Sequence, residues 1–197
     1  MFDLDDMFPK NNELLSSSDE ADIECNDCIG CDTCCCREIS ATVILDSWDI
    51  ALLKKGTGKT FDEMVEEGLL RIIEFDGLKL PAFGMKKEKY ECCFLNDAGR
   101  CTVHPYRSGI CRLYPLARLW KEDGSFAYYL QKGECVHRTT AKTKVSDWLG
   151  YDDIESYEKA VREYHDRLKA AKRAVYSTNS EEQRRNIADR FIDDNFR

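Results

Sequence analysis

Before residue 150, the apolar positions occur in short runs separated by turn residues. Two pairs of runs flank Asp-Gly dipeptides, one over residues 70–83 around positions 76–77 and the other over residues 116–131 around positions 123–124. Asp-Gly between two apolar runs is a strong signal for a tight turn that joins antiparallel strands. The pattern therefore predicts two β-hairpins.

Short elements are predicted ahead of the first hairpin. Residues 40–45 are apolar and β-branched, which favours a strand, and Asp46 can then begin a helix that Gly56 ends. Thr60 and Glu63 have the spacing of a capping box, in which each side chain accepts from the backbone N–H of the other residue. This pair predicts the start of a second short helix.

After residue 150 the apolar spacing becomes helical. Apolar residues recur every three or four positions from Ile154 to Val175, which predicts a helix of about six turns with one apolar stripe. Ser180 with Gln183 can cap a last helix. We expect the stripe to pack on the preceding module or on the last helix. The alternative is a dimer seam, for which the helix offers few heptads.

The predicted fold class is α+β, with three parts. Residues 1–24 carry eight acidic side chains against one lysine, which indicates a disordered leader that serves as a solubility element or as an arm for a partner. Residues 25–150 form a small cysteine-rich module of short helices and hairpins, whose folding a metal would nucleate. Residues 151–197 add two helices.

The charge and hydropathy of the chain exclude several classes of function. The sequence pI is near 5.0 and no basic stripe occurs, so nucleic-acid binding is not expected. No run approaches the roughly 18 apolar residues of a membrane span. The N-terminus is acidic, whereas a signal peptide begins with basic residues. We therefore expect a cytoplasmic protein.

Cysteine is the residue type that points to chemistry. Six cysteines within residues 25–36 form the N-terminal cysteine cluster, and the chain has eleven in all. Cys34, Cys35 and Cys36 are consecutive and too cramped to pair with one another, and an odd total leaves at least one thiol over. Pairs separated by two residues let both sulfurs reach one metal, which favours a soft-metal site over disulfides.

Four motifs occur in a characteristic order. They are Cys28-x-x-Cys31-x-x-Cys34-Cys35, Cys92-Cys93-Phe94-Leu95, Cys101-Thr102-Val103-His104 and Arg107-x-x-x-Cys111-Arg112-Leu113-Tyr114-Pro115. This order resembles the YkgJ family of cysteine-cluster proteins, which is described as a domain that chelates zinc or iron and includes the flagellin lysine N-methylase. The resemblance covers about residues 25–140.

The resemblance implies that the motif cysteines share metal ligation, and the position of Cys135 after the second hairpin adds it to the set. The implied ligands are Cys28, Cys31, Cys34, Cys35, Cys92, Cys101, Cys111 and Cys135. Ser108 stands where the family usually has proline, which loosens the turn before Cys111. Cys25, Cys36 and Cys93 are extra, so the register of the first motif stays open.

The number of thiols bears on the metal. Seven or eight candidate thiolates exceed the four that one zinc needs, which indicates either a four-iron cluster with spare thiols or two metal centres. The scarcity of histidine favours a [4Fe–4S] cluster, with zinc as the alternative. Arg107 and Arg112 flank Cys111 and can bind the cofactor, because a guanidinium donates charge-assisted hydrogen bonds to cluster sulfur. The alternative is that both are ordinary surface cations. His104 and His137 are weaker ligand candidates.

Two functions remain open. In the first, an iron–sulfur cluster serves redox or group-transfer chemistry on a protein or small substrate, as the resemblance to the methylase implies. In the second, a zinc- or iron-chelating module has a structural role and its helices offer a surface to a partner. No glycine-rich fingerprint for a dinucleotide or adenosylmethionine follows a predicted strand. The sequence identifies neither a catalytic residue nor an oligomeric state.

Overall fold

The computed structural model describes residues 9–10, 13–23, 36–37, 43–86, 91–131 and 142–197. Helices and short antiparallel strand pairs are mixed along the chain, which confirms the α+β class. No helix in the described part of the chain is long and apolar enough to span a membrane.

The bounds of the elements are as follows. The helices are α1 (Ser47–Thr57), α2 (Phe61–Glu66), α3 (Gly109–Leu113), α4 (Val145–Leu149), α5 (Ile154–Ser177) and α6 (Glu181–Phe196). The strands are β1 (Glu20–Ala21), β2 (Leu70–Phe75), β3 (Leu78–Phe83), β4 (Met85–Lys86), β5 (Glu91–Cys92), β6 (Leu116–Trp120), β7 (Phe126–Leu130) and β8 (Thr143–Lys144). Strands pair as β1–β8, β2–β3, β4–β5 and β6–β7.

The chain forms two compact units. The first comprises Met1–Cys31 and Ile110–Tyr157, and the second comprises Asp32–Gly109 and Glu158–Arg197.

In the second unit, the first predicted hairpin is confirmed. Strands β2 and β3 pair from Leu70 opposite Phe83 to Phe75 opposite Leu78. The turn residues Asp76 and Gly77 both have positive φ angles, 51° and 75°, the combination that a two-residue turn requires and that Asp-Gly provides at low cost. The predicted strand at residues 40–45 is reduced to a bridge between Ile44 and Ala82, and residues 40–42 lie outside the described residues.

The helices before this hairpin begin where the sequence predicts. Asp46 and Asp49 form a capping box at the start of α1, and Thr60 and Glu63 form one at the start of α2. The predicted end of α1 at Gly56 is wrong. Gly56 lies within the helix, where an added Cβ would be 2.7 Å from the Cβ of Tyr106.

Gly58, rather than Gly56, ends α1. Its φ of 71° is left-handed, and its N–H donates to the Lys54 carbonyl, an arrangement that glycine adopts without steric strain. Gly56 therefore allows close packing against Tyr106, and Gly58 ends the helix.

The apolar stripe of the long helix, α5, is buried within the chain. Val161, Tyr164 and Val175 of α5 are buried, and so are Phe191 and Phe196 of α6. Helix α6 packs against β3 and α1. Burial of this kind accounts for the stripe without a second copy of the chain.

In the first unit, part of the expected leader is ordered. Strand β1 pairs with β8, so that Glu20 lies opposite Lys144, and the side chains of Ala21 and Ile23 are only 5% and 2% exposed. Leu15 forms a bridge with Tyr128 of β7. The prediction of disorder is therefore wrong for residues 13–23, because their few apolar side chains are buried while the acidic ones remain near solvent.

The second predicted hairpin is also confirmed in this unit. Strands β6 and β7 pair from Leu116 opposite Leu130 to Trp120 opposite Phe126. Asp123 stabilises the connection, because its carboxylate accepts hydrogen bonds from the N–H and hydroxyl of Ser125. These bonds lower the pKa of Asp123 from its ordinary value.

Candidate metal centre

Three of the implied ligands, Cys92, Cys101 and Cys111, lie in the described part of the chain. The others lie outside it: Cys28, Cys31, Cys34, Cys35 and Cys135. Among the described residues alone, no group of three His, Cys, Asp or Glu side chains could hold a metal ion.

A short hairpin positions Cys92 and Cys101. Cys92 ends β5 opposite Met85, and the chain then turns so that Leu95 bridges Cys101. The turn is closed by two backbone bonds, from the N–H of Asn96 to the Arg100 carbonyl at 2.9 Å and from the N–H of Thr102 to the Phe94 carbonyl at 2.8 Å. We name residues 92–102 the thiol hairpin.

The thiol hairpin has an apolar side. Phe94 and Leu95 are buried, and the ring of Phe94 contacts Phe83 edge to face at 5.9 Å between centroids. Cys92 is 7% exposed, whereas Cys93 and Cys101 are intermediate. The thiols thus lie where the core meets the surface, which limits water around a bound metal without closing the site.

Cys93 lies close to both implied ligands of the hairpin. As a thiolate it accepts a hydrogen bond from the Cys92 side chain, and this bond is the main reason that the pKa of Cys93 is lowered. Burial and the nearby charge of Cys101 act in the opposite direction. As a thiol, Cys93 donates to the Leu69 carbonyl at 3.3 Å. Three cysteines therefore belong to one hairpin, and their protonation is linked.

Two cations lie beside the thiol hairpin. The ammonium of Lys86 donates to the Leu95 carbonyl. The Nε of Arg37 lies 3.8 Å from the Oε1 of Glu91. This ion pair brings Arg37, which directly follows Cys36 of the N-terminal cysteine cluster, to the strand that carries Cys92. Positive charge near thiols favours the thiolate form that binds metal. Sequence patterns contain no signal for this role of Lys86, because it precedes Leu95 by nine positions.

Cys111 lies on α3, one turn before the cis peptide bond between Tyr114 and Pro115. Its thiol is partly exposed, and Leu113 on the same helix is buried. The short helix thus has one side fixed in the core and presents Cys111 at its surface.

Arg112, a predicted cofactor-binding residue, has well-defined protein contacts. Its Nη1 donates to the carbonyls of Leu149 and Gly150 at 3.0 and 3.2 Å. Its guanidinium also lies over the ring of Tyr151. These carbonyls end α4, so the cation lies at the negative end of the helix dipole. A contact between Arg112 and a metal centre stays a prediction.

Arg107, the other predicted cofactor-binding residue, contacts His104. The Nη1 of Arg107 is 3.1 Å from the Nε2 of His104. A guanidinium only donates, so this nitrogen of His104 is the acceptor. In this arrangement Nδ1 carries the imidazole proton. His104 could bind a metal only through Nδ1, and only after that proton is lost.

Asp49 bonds to the first residue of α3, the helix that carries Cys111, and was missed by the sequence analysis. The carboxylate of Asp49 accepts a hydrogen bond from the Gly109 N–H at 2.6 Å. Ser108, the residue before Gly109, is completely buried. A bond across sixty positions has no local signal in the sequence.

Cysteine thiolates, with few other donors nearby, fit zinc and iron rather than hard cations. In agreement with this chemistry, the family model of the CxxCxxCC domain, described as a "putative zinc- or iron-chelating domain", matches residues 27–141. The match covers more than half of the chain. No curated protein and no solved structure matches it.

Proposed function

Because this chain belongs to the family of CxxCxxCC zinc- or iron-chelating domains, we propose that its cysteines hold a [4Fe–4S] cluster in the cytoplasm. The ligands are drawn from Cys28, Cys31, Cys34, Cys35, Cys92, Cys101, Cys111 and Cys135. When bound, such a cluster supplies redox or group-transfer chemistry, here on a protein or small-molecule substrate.

The ion pair between Arg37 and Glu91 carries the proposal. Arg37 directly follows the last cysteine of the N-terminal cluster, and Glu91 directly precedes Cys92. The pair therefore supports a site to which both the cluster and the thiol hairpin contribute. Together they provide more thiols than one zinc ion uses.

The donor set supports iron–sulfur chemistry. Cys93 lies within the thiol hairpin beside Cys92 and Cys101, while the Nε2 of His104 is bonded to Arg107. Iron–sulfur clusters are held mainly by thiolates, whereas many zinc sites mix cysteine and histidine. The environment of this hairpin therefore favours sulfur donors.

The cations near the site have a defined role in this proposal. A cluster with four thiolates is anionic, and positive charge nearby stabilises its reduced form. Lys86 donates to the Leu95 carbonyl of the thiol hairpin, and Arg107 and Arg112 lie on either side of Cys111 in the sequence. We infer that these cations hold the reduction potential above the value that the thiolates alone would give.

A structural zinc or iron site is the alternative, and the strand arrangement favours it. The strands of the described residues form two-stranded sheets, and an isolated two-stranded sheet is marginally stable in water. A bound metal would then stabilise the module in place of a larger hydrophobic core. The module would present its surface to a partner and would have no catalytic role.

Metal analysis of anaerobically purified protein separates the two functions. We expect a brown protein that contains iron and acid-labile sulfide in equal amounts and shows the broad visible absorbance of a cluster. A colourless protein with stoichiometric zinc would refute the cluster and support the structural site. Reconstitution with iron and sulfide, followed by the same analysis, excludes loss of the cluster during purification.

The role of the cations is tested by potentiometry. Arg112→Ala and Arg107→Ala, compared at equal cluster occupancy, should each lower the reduction potential. Arg112→Lys should recover part of the change, because it keeps the charge without the planar fork. Arg173→Ala, an exposed arginine on α5, serves as the control. Equal reduction potentials in all variants would show that neither Arg107 nor Arg112 affects the cluster.

A further inference from the structure

The carboxylate of Asp49 is a buried charge with two backbone partners. Its side chain lies in the second unit, and the residue is only 3% exposed. One oxygen, Oδ2, accepts from the Asp46 N–H at 3.1 Å within the capping box of α1. The other, Oδ1, accepts from the Gly109 N–H at 2.6 Å. Buried carboxylates are costly, so both bonds are needed to offset the loss of hydration.

The bond to Gly109 fixes the start of the helix that carries Cys111. The first N–H groups of a helix have no partner within it, and a carboxylate that accepts from one of them also interacts well with the helix dipole. Cys111 follows Gly109 by two positions on the same short helix. A displacement of Gly109 would therefore also displace the Cys111 sulfur, which lies about half a helical turn further along.

The residue before Gly109, Ser108, is fully buried, so the chain enters α3 from the core. The Asp49 carboxylate restrains the backbone there, because it is anchored on α1 by the capping box with Asp46.

We propose that Asp49 is a positioning residue for the metal centre: its carboxylate holds Gly109 so that Cys111 meets the metal with the correct geometry. This inference rests on the proposed function, because it takes Cys111 as a ligand. Asp49 is assigned this positioning role because each of its oxygens accepts from a backbone N–H group.

The test uses full-length protein purified with its own metal. Two rates are measured anaerobically: transfer of the metal to an excess of chelator, and alkylation of Cys111 and Cys101 by iodoacetamide, read for each cysteine by mass spectrometry. The variants are Asp49→Ala, Asp49→Asn and Asp46→Ala. Asp46→Ala removes the N-cap of the same helix but keeps the acceptor for Gly109, so it controls for a general loss of stability.

We expect Asp49→Ala to speed both metal release and Cys111 alkylation by about tenfold, a typical effect of losing a residue that orients a ligand. Cys101 reports metal release alone, because its own segment is unchanged, so its alkylation should speed up less than that of Cys111. Asp49→Asn keeps one acceptor oxygen and should be intermediate, and it decides the question if Asp49→Ala does not fold. Wild-type rates in the Asp49 variants, or equal acceleration in Asp46→Ala, would overturn the inference.

Cys111→Ser separates this inference from the function on which it rests. If Cys111→Ser keeps full metal content, Cys111 is not a ligand, and both the ligand set and the role of Asp49 are overturned. If Cys111→Ser loses metal but the Asp49 variants behave as wild type, only the role of Asp49 is overturned.

Discussion

The Arg112 guanidinium lies over the ring of Tyr151, 4.7 Å from its centroid. The ring of Tyr151 in turn stacks on that of Tyr157 at 4.1 Å, and Arg118 lies on the ring of Tyr157 at 5.9 Å. Cations and aromatic rings thus alternate within the first unit. The residue next to Cys111 is held by planar contacts and by bonds to two carbonyls, which only arginine provides together.

Arg112→Ala should lower the free energy of unfolding by about 2 kcal/mol, because it removes a cation–π contact and charge-assisted bonds to the end of α4. Arg112→Lys should recover less than half of this loss, since lysine lacks the planar fork. Urea unfolding of metal-loaded protein measures both. If Arg112→Ala is as stable as the exposed control Arg173→Ala, these contacts contribute nothing.

Two cysteines of the thiol hairpin, Cys101 and Cys93, provide a matched pair. Cys101→Ser should lose most of the metal, because it removes an implied ligand and hydroxyl is a poor donor for soft metals. Cys93→Ser should keep its metal, although Cys93 lies beside Cys92. Metal content and thermal midpoint are measured for both. The reverse result would make Cys93 the ligand.

The order seen in residues 13–23 changes what truncation should do. Removing residues 1–23 should destabilise the protein by at least about 2 kcal/mol, because Ile23 loses its burial and β8 loses its partner. Removing residues 1–12 should cost much less, since it leaves the burial of Ile23 and the pairing of β1 with β8 intact. Equal stability of the two truncations in chemical denaturation would contradict the pairing of β1 with β8.

Tyr164 should make stability depend on alkaline pH. Burial, followed by the charges of Asp46 and Asp49, raises the pKa of this tyrosine above its ordinary value. Folding therefore favours the neutral phenol, whose contribution is complete below pH of about 10 and is lost as the pH rises toward the folded pKa. Tyr164→Phe should be less sensitive in this range.

At neutral pH the same substitution should cost nothing and can stabilise by up to about 1 kcal/mol, because the buried hydroxyl of Tyr164 has no hydrogen-bond partner among the described residues. Tyr176→Phe is the control, since Tyr176 lies on the same helix and is 69% exposed. Unfolding free energies between pH 7 and 11 measure the effect. Parallel curves for wild type and Tyr164→Phe would contradict it.

Local patterns predicted local structure well. The Asp-Gly turn at residues 76–77, the capping box of Thr60 with Glu63 and the cap at Ser180 are set by neighbours within a few positions. The end of α1 was placed two residues early, because a glycine that packs against Tyr106 and a glycine that ends a helix look the same in a sequence.

Long-range relationships were not predictable from these patterns. The pairing of Glu20 with Lys144 and the bond from Gly109 to Asp49 join distant positions. Acidic composition suggested a disordered leader, but two buried side chains at Ala21 and Ile23 and one strand pair are sufficient to order its second half. The motif cysteines can be recognised in the sequence by residue type. The cations beside them, such as Lys86, can be identified only from the fold.

The closing bonds of the thiol hairpin bear on the order in which the site assembles. Cys92 and Cys101 are joined by a turn that their own neighbours close, so bringing them together costs little chain entropy and takes microseconds in a hairpin of this size. Ligands separated by long segments meet much later. The sulfurs of Cys92 and Cys101 could thus meet one metal ion as soon as this hairpin has formed, without waiting for the rest of the fold.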